Sequence, residues 1–203
     1  MPQLSFFSAE AAAPCLGDLA GVLCGRGRMA GFARTAARLS ITLDGRWRAK
    51  ALAKALAERG VSARLEPGED EGEDETVALH TPFRTDLTPL ADAWTRDTAK
   101  TAPPGLTLTG GPLRLWVLSA GSWLEGSYLL ELDPDAPQTH EPLVAALARS
   151  GLAVGVLTPT SGNPSIKVTG RRRLSRLVEL VGTPPDRHAL EHWPASSRVH
   201  AMS

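Results

Sequence analysis

The feature that most constrains this chain is an internal duplication. ALAERGVSARL (Ala55–Leu65) aligns without a gap on ALARSGLAVGV (Ala146–Val156), and RLSITLD (Arg38–Asp44) aligns on SYLLELD (Ser127–Asp133). Gly27 and Gly121 each close a helix rich in small and apolar residues. A repeated unit predicts two similar halves that bury a shared interface. The order expected in each half is helix, two strands, helix, hairpin, helix.

In the first copy, Pro14–Cys24 is small or apolar on every side, which predicts a buried helix. Arg28–Arg34 and Arg38–Leu43 predict strands. In the second of these, Leu39, Ile41 and Leu43 alternate with Arg38, Ser40 and Thr42, giving one buried and one polar face. Trp47–Arg59 has apolar residues at helical spacing and stops at Gly60. Ser62–Glu66 and Thr76–His80 predict a hairpin around the acidic loop PGEDEGEDE. Asp86–Lys100 predicts a helix capped by Asp86. In the second copy, helices are expected at Leu113–Ala120, Glu141–Arg149 and Leu174–Val181. Strands are expected at Tyr128–Leu132, Leu152–Leu157 and Ser165–Thr169. The expected division is a first repeat over 15–100, a linker over 101–112 centred on Thr101–Gly105, a second repeat over 113–182, and a disordered tail over 183–203. In repeat one, Leu39, Ile41, Leu43, Val77 and Leu79 are expected inside. In repeat two the same holds for Leu130, Leu132, Val154, Val156, Ile166 and Val168.

Charge narrows the function classes. The 203 residues carry 22 basic and 22 acidic side chains, which argues against a simple polybasic nucleic-acid binder. The distribution is uneven. Ten Lys and Arg lie between Arg26 and Arg64 against two acids, Asp44 and Glu58, whereas Glu66–Glu75 holds seven acids and no base. Two cysteines, Cys15 and Cys24, make neither a disulfide framework nor a CxxC knuckle. No signal peptide or membrane span is read, and the expected compartment is the cytoplasm. No phosphate-binding loop, nucleophile elbow or dinucleotide fingerprint is present, so no cofactor is expected. HALEH (His188–His192) has the spacing of one metalloprotease class, but no helix is expected to carry it, so no metal site is read there. His80 and His140 read as structural, and Trp47, Trp94, Trp116 and Trp123 as core residues.

LAGVLCGRG (Leu19–Gly27), AGSWLEGSYLLEL (Ala120–Leu132) and IKVTGRRRLSRLVELVG (Ile166–Gly182), in duplicated order, resemble the LAGLIDADG homing-endonuclease family. Within it they are most similar to the N-terminal domain of the WhiA regulators, here without the helix-turn-helix that follows it there. The resemblance implies an α+β fold: a duplicated, pseudo-symmetric αββαββα domain with antiparallel sheets forming a saddle over DNA. It also implies that the two motif helices pack side by side, where Ala20, Gly21 and Gly25 permit close approach. In the nucleases an acid just before the closing glycine of each helix holds a catalytic divalent metal. Here those positions are Arg26 and Ala120, neither a metal ligand. The expectation is a catalytically inactive protein, not an enzyme, with no catalytic residues and no metal.

Alternation places Arg28, Ala30, Phe32 and Arg34 on the open face, with Arg38, Ser40, Thr42, Ser62 and Arg64. Lys167 and Arg171, Arg172 and Arg173 add charge in repeat two, where Ser127, Leu129 and Glu131 occupy the matching strand. Arg28, Arg34, Arg38, Ser40, Arg64, Lys167, Arg171, Arg172 and Arg173 are therefore the candidate DNA-binding residues. The three consecutive arginines read equally as a solvated turn. The alternative function is a protein–protein interaction scaffold on the same fold, without nucleic acid. A monomer or homodimer is expected, since one chain supplies both halves of the saddle.

Overall fold

The computed structural model describes residues 8–68, 76–152, 155–157 and 163–195. The acidic loop 69–75, Val154 and the last residues of the tail lie outside the described residues.

The first repeat runs from a 3-10 turn at Leu16–Leu19 into α1 (Ala20–Cys24), β1 (Arg28–Phe32), β2 (Ala36–Asp44), α2 (Arg46–Ala57), β3 (Arg64–Pro67), β4 (Thr76–His80) and α3 (Thr88–Trp94). A small hairpin, β5 (Thr95–Arg96) and β6 (Ala99–Lys100), follows. The second repeat comprises α4 (Gly110–Ala120), β7 (Gly121–Leu124), β8 (Ser127–Glu131), α5 (His140–Arg149), β9 (Gly155–Leu157), β10 (Ser165–Val168) and α6 (Arg171–Val181). The two large sheets share one antiparallel topology, β1-β2-β4-β3 and β7-β8-β10-β9. The duplication in the sequence is thus a duplication of the fold.

Period-two burial sets the register. Leu39, Ile41 and Leu43 on β2 and Val77 and Leu79 on β4 point inward, while Arg38, Ser40 and Thr42 face out. Leu130, Leu132, Ile166 and Val168 are buried in repeat two. A one-residue slip would expose each of these apolar sets. Val156 departs from expectation: it is 41% exposed, because β9 is a three-residue edge strand with a single neighbour.

The motif helices α1 and α4 meet at backbone distance. A Cβ on Gly21 would lie 1.8 Å from the Pro112 carbonyl oxygen, so only glycine permits this approach. The pairing is asymmetric, with the buried Trp116 of α4 set against Gly25 and its indole N–H bonded to the Glu131 carbonyl (3.0 Å). α4 begins at Gly110, inside the expected linker, because Pro112 falls in its first turn, where a missing N–H costs no helical bond.

Three further expectations are corrected. The helix expected over 86–100 ends at Trp94. The chain turns instead through Asp97 (φ 52°) and Thr98 (φ 85°), a pair of positive φ values that closes a two-residue hairpin. β7 was not expected. It pairs with β8 through Glu125 and Gly126, both at positive φ. The tail is ordered as far as it is described, to residue 195. Trp193 is 2% exposed, donates to the Gly182 carbonyl (2.8 Å) and lies under the Arg114 guanidinium. Its own carbonyl accepts from Trp123, and the His192 carbonyl accepts from the buried Tyr128 hydroxyl (2.7 Å). These aromatic contacts, unreadable from composition, fix the segment.

Candidate nucleic-acid interface

Each motif helix ends at a cleft, and the two clefts are related by the pseudo-twofold. The first, of about 230 Å³, is lined by Arg26, Arg28, Ser40, Thr42 and His80, closed by Asp133 and Asp135 from the other repeat. The second, of about 470 Å³, is lined by Ala120, Ser122 and Glu131, with Asp44 and Arg48 contributed by repeat one. Asp44 and Asp133 are equivalent in the duplicated sequence, so the strand end of each repeat reaches the helix end of the other.

A cation sits at each helix end. The Lys100 ammonium donates to the Gly25 carbonyl and pairs with Asp133 at 3.0 Å, both side chains being almost fully buried. Burial holds the Lys100 pKa below its ordinary value, against the opposing pull of Asp133. Arg48 donates to the Leu118 (2.9 Å) and Gly121 (2.7 Å) carbonyls at the end of α4 and stacks over Trp47. Burial lowers its pKa too, with Tyr128, Glu131 and Asp44 opposing. Cations suit the negative pole of a helix. Arg26 and Ala120 precede the closing glycines, Asp133 is paired with Lys100 and Arg28, and no group of three His, Cys, Asp or Glu side chains gathers among the described residues. The His188–Glu191 segment is one short 3-10 turn, and His192 stacks on Trp47 (5.0 Å between ring centroids).

The open face of the first sheet carries a row across all four strands: Arg28, Ser40, His80 and Arg64 pair in register from β1 to β3. The matching row in repeat two is Ser122, Leu129, Lys167 and Gly155, with one cation. The candidates are not equally placed. Arg28 is spent on Asp133 (3.2 Å) and Asp135 (2.9 Å). Arg34 is not on the strand: it sits in the β1–β2 turn at φ 59°, exposed, because the strand ends at Phe32. Arg38 faces out beside Phe83, with its guanidinium 5.0 Å from the ring centroid. Arg64 is exposed and Ser62 precedes the strand. Lys167 is half-buried on the second face. Arg171, Arg172 and Arg173 form the exposed first turn of α6 around an open groove of about 770 Å³. That groove shares no lining residue with the two clefts, so these arginines are separate from the row. Ser127 is buried, not on the open surface.

His80 and Phe83 were not read as site residues. The alternation of Thr76, Ala78 and His80 against buried Val77 and Leu79 is the signal that places His80 on the open face. Phe83 lies beyond the strand, where no periodicity speaks.

The sequence matches no protein-family model and no curated protein. Solved structures match across most of the chain. The homing endonuclease I-WcaI, bound to its DNA recognition sequence, superposes with a TM-score of 0.61 at 15% identity, over 89% of this chain and 83% of that one. Full-length DUF199/WhiA from Thermatoga maritima gives 0.57 at 11% identity, over 91% of this chain, which spans 58% of that one. The N-terminal LAGLIDADG domain of DUF199/WhiA gives 0.55 at 9%, over 86% of this chain and 83% of that one. The fold is the LAGLIDADG fold.

Proposed function

We propose that this chain binds nucleic acid on its saddle without cleaving it, and that it serves in bacterial regulation. The observation that carries the reading is the open-face row of the first sheet, in which Ser40, His80 and the exposed Arg64 lie in register and Arg64 has no ion pair among the described residues, in a fold whose I-WcaI example holds DNA. Guanidinium and imidazole groups spaced one strand apart suit a phosphate backbone. Inactivity is supported by Arg26, Ala120, and the two cations Lys100 and Arg48 at the helix ends. The likeness to WhiA is the support for a regulatory role.

A protein-interaction scaffold is the second reading. It is favoured by the neutralisation of Arg28 and by the apolar Leu129 in the matching row. Retention on immobilised DNA that falls with salt, together with intact plasmid after incubation with Mg2+ or Mn2+, is the expected result. Metal-dependent nicking lost on substituting a saddle residue overturns inactivity. Absence of salt-sensitive retention at low ionic strength leaves the scaffold as the better reading.

A further inference from the structure

The outer end of the first sheet bears two large apolar side chains in solvent. Phe32 closes β1 on the open face and is 62% exposed, and Phe83, just past β4, is 45% exposed. Their centroids are 5.6 Å apart at 54°. Arg38 lies over Phe83, and Arg34 sits two residues beyond Phe32 in the turn. Among the described residues neither Arg34 nor Arg38 pairs with a carboxylate, and the buried Arg38 Nε has no hydrogen-bond partner.

Two adjacent phenylalanines in solvent form a contiguous aromatic patch, the kind of surface that marks an interaction site. We propose that Phe32 and Phe83, with Arg34 and Arg38, form a stacking site for the unpaired bases of a single-stranded nucleic acid. This rests on the nucleic-acid reading above and names the form of the ligand. Aromatic faces beside unpaired arginines match what single strands offer: bases free to stack, on a flexible anionic backbone. Charge placement also disfavours a rigid duplex. A duplex spanning the saddle would meet Leu129 and Glu131 on the second sheet and the neutralised Arg28 at the centre. A single strand follows the first sheet alone, from Arg64 and His80 toward the aromatic pair.

The test uses the whole chain with fluorescent oligomers of about 12 nucleotides, an oligo-dT, an oligo-rU and a mixed-sequence duplex, by anisotropy at low salt. Both single strands are expected to bind more tightly than the duplex. The ratio between dT and rU reports the sugar preference. Phe32→Leu and Phe83→Leu, which keep apolar bulk and remove the ring, are expected to weaken single-strand binding by about fivefold or more each. Phe32→Tyr and Phe83→Tyr are expected to retain it. Circular dichroism should show every variant folded, since both rings are exposed. A duplex that binds as tightly as the single strands, or Leu variants equal to wild type, overturns the stacking site and leaves nucleic-acid binding standing. Binding of none of the oligomers overturns both.

Discussion

The Lys100 ammonium lies 3.0 Å from the Asp133 carboxylate, and this pair joins the two repeats at the end of the first motif helix. Asp133 is 1% exposed, so its charge depends on Lys100 and on Arg28 for compensation. Lys100→Met should therefore destabilise the protein by about 3 kcal/mol, the cost of leaving a buried charge short of a partner. The double variant with Asp133→Asn should recover much of that loss. Urea unfolding of the four species of the cycle measures it, and additive losses would contradict the coupling.

Backbone contact between α1 and α4 gives a sharper case. Gly21→Ala places a methyl on the Pro112 carbonyl, which cannot yield without separating the helices, and should cost about 3 kcal/mol or more. Gly25→Ala meets the Ala120 methyl at 3.2 Å and should cost less. Thermal midpoints of the two variants give the order. Equal midpoints would mean that the helices are not in contact as described.

Trp193 anchors the segment that follows the second repeat. Its truncation, Trp193→Ala, should cost about 3–5 kcal/mol, as for other large buried side chains. It should also raise protease sensitivity around Gly182. A change below about 1 kcal/mol would mean that the segment is not docked in solution.

Glu10 accepts hydrogen bonds from the Thr183 hydroxyl (2.7 Å) and backbone N–H (2.8 Å), and these lower its pKa below the ordinary 4.5, with help from Arg114. A depressed carboxylate contributes stability above its unfolded pKa and loses it as pH falls through the folded one. Wild type should therefore lose more stability on acidification below 4.5 than Glu10→Gln does. Denaturant midpoints at neutral and acid pH compare the two. Equal acid losses would remove Glu10 from the account.

Arginines on the open face should differ in their share of binding. Arg64→Ala should reduce the dependence of log K on log salt by about 0.7–0.9, one phosphate contact. Arg28→Ala should leave that slope nearly unchanged, since Asp133 and Asp135 already hold its guanidinium. A larger effect at Arg28 than at Arg64 would show that the ion pairs open on binding.

Much of the fold is legible in local pattern. Alternation at Arg38–Leu43 and Thr76–His80 sets which face of the first sheet is buried, because side chains on a strand alternate sides whatever else surrounds them. The repeated segments specify the same strand order twice, and Gly27 and Gly121 mark where each motif helix turns into a strand. Of the basic residues expected on the first sheet face, Arg28, Arg38 and Arg64 lie on its strands, whereas Arg34 falls in the turn after β1.

What each of those residues does was decided in three dimensions. Arg28 and Arg64 look alike in the sequence. One is neutralised by two aspartates more than a hundred residues away, and the other is free of any ion pair among the described residues. The turn at Asp97–Thr98 has no strong sequence signature, yet it delivers Lys100 to Asp133. Trp193 lies in a segment whose composition signals disorder, and packing against Arg114 and Trp123 overrides that signal. Periodicity reports only which side of its own element a residue faces. Charge pairing, capping and docking depend on what the other repeat brings within a few ångströms, and only the folded chain sets those distances.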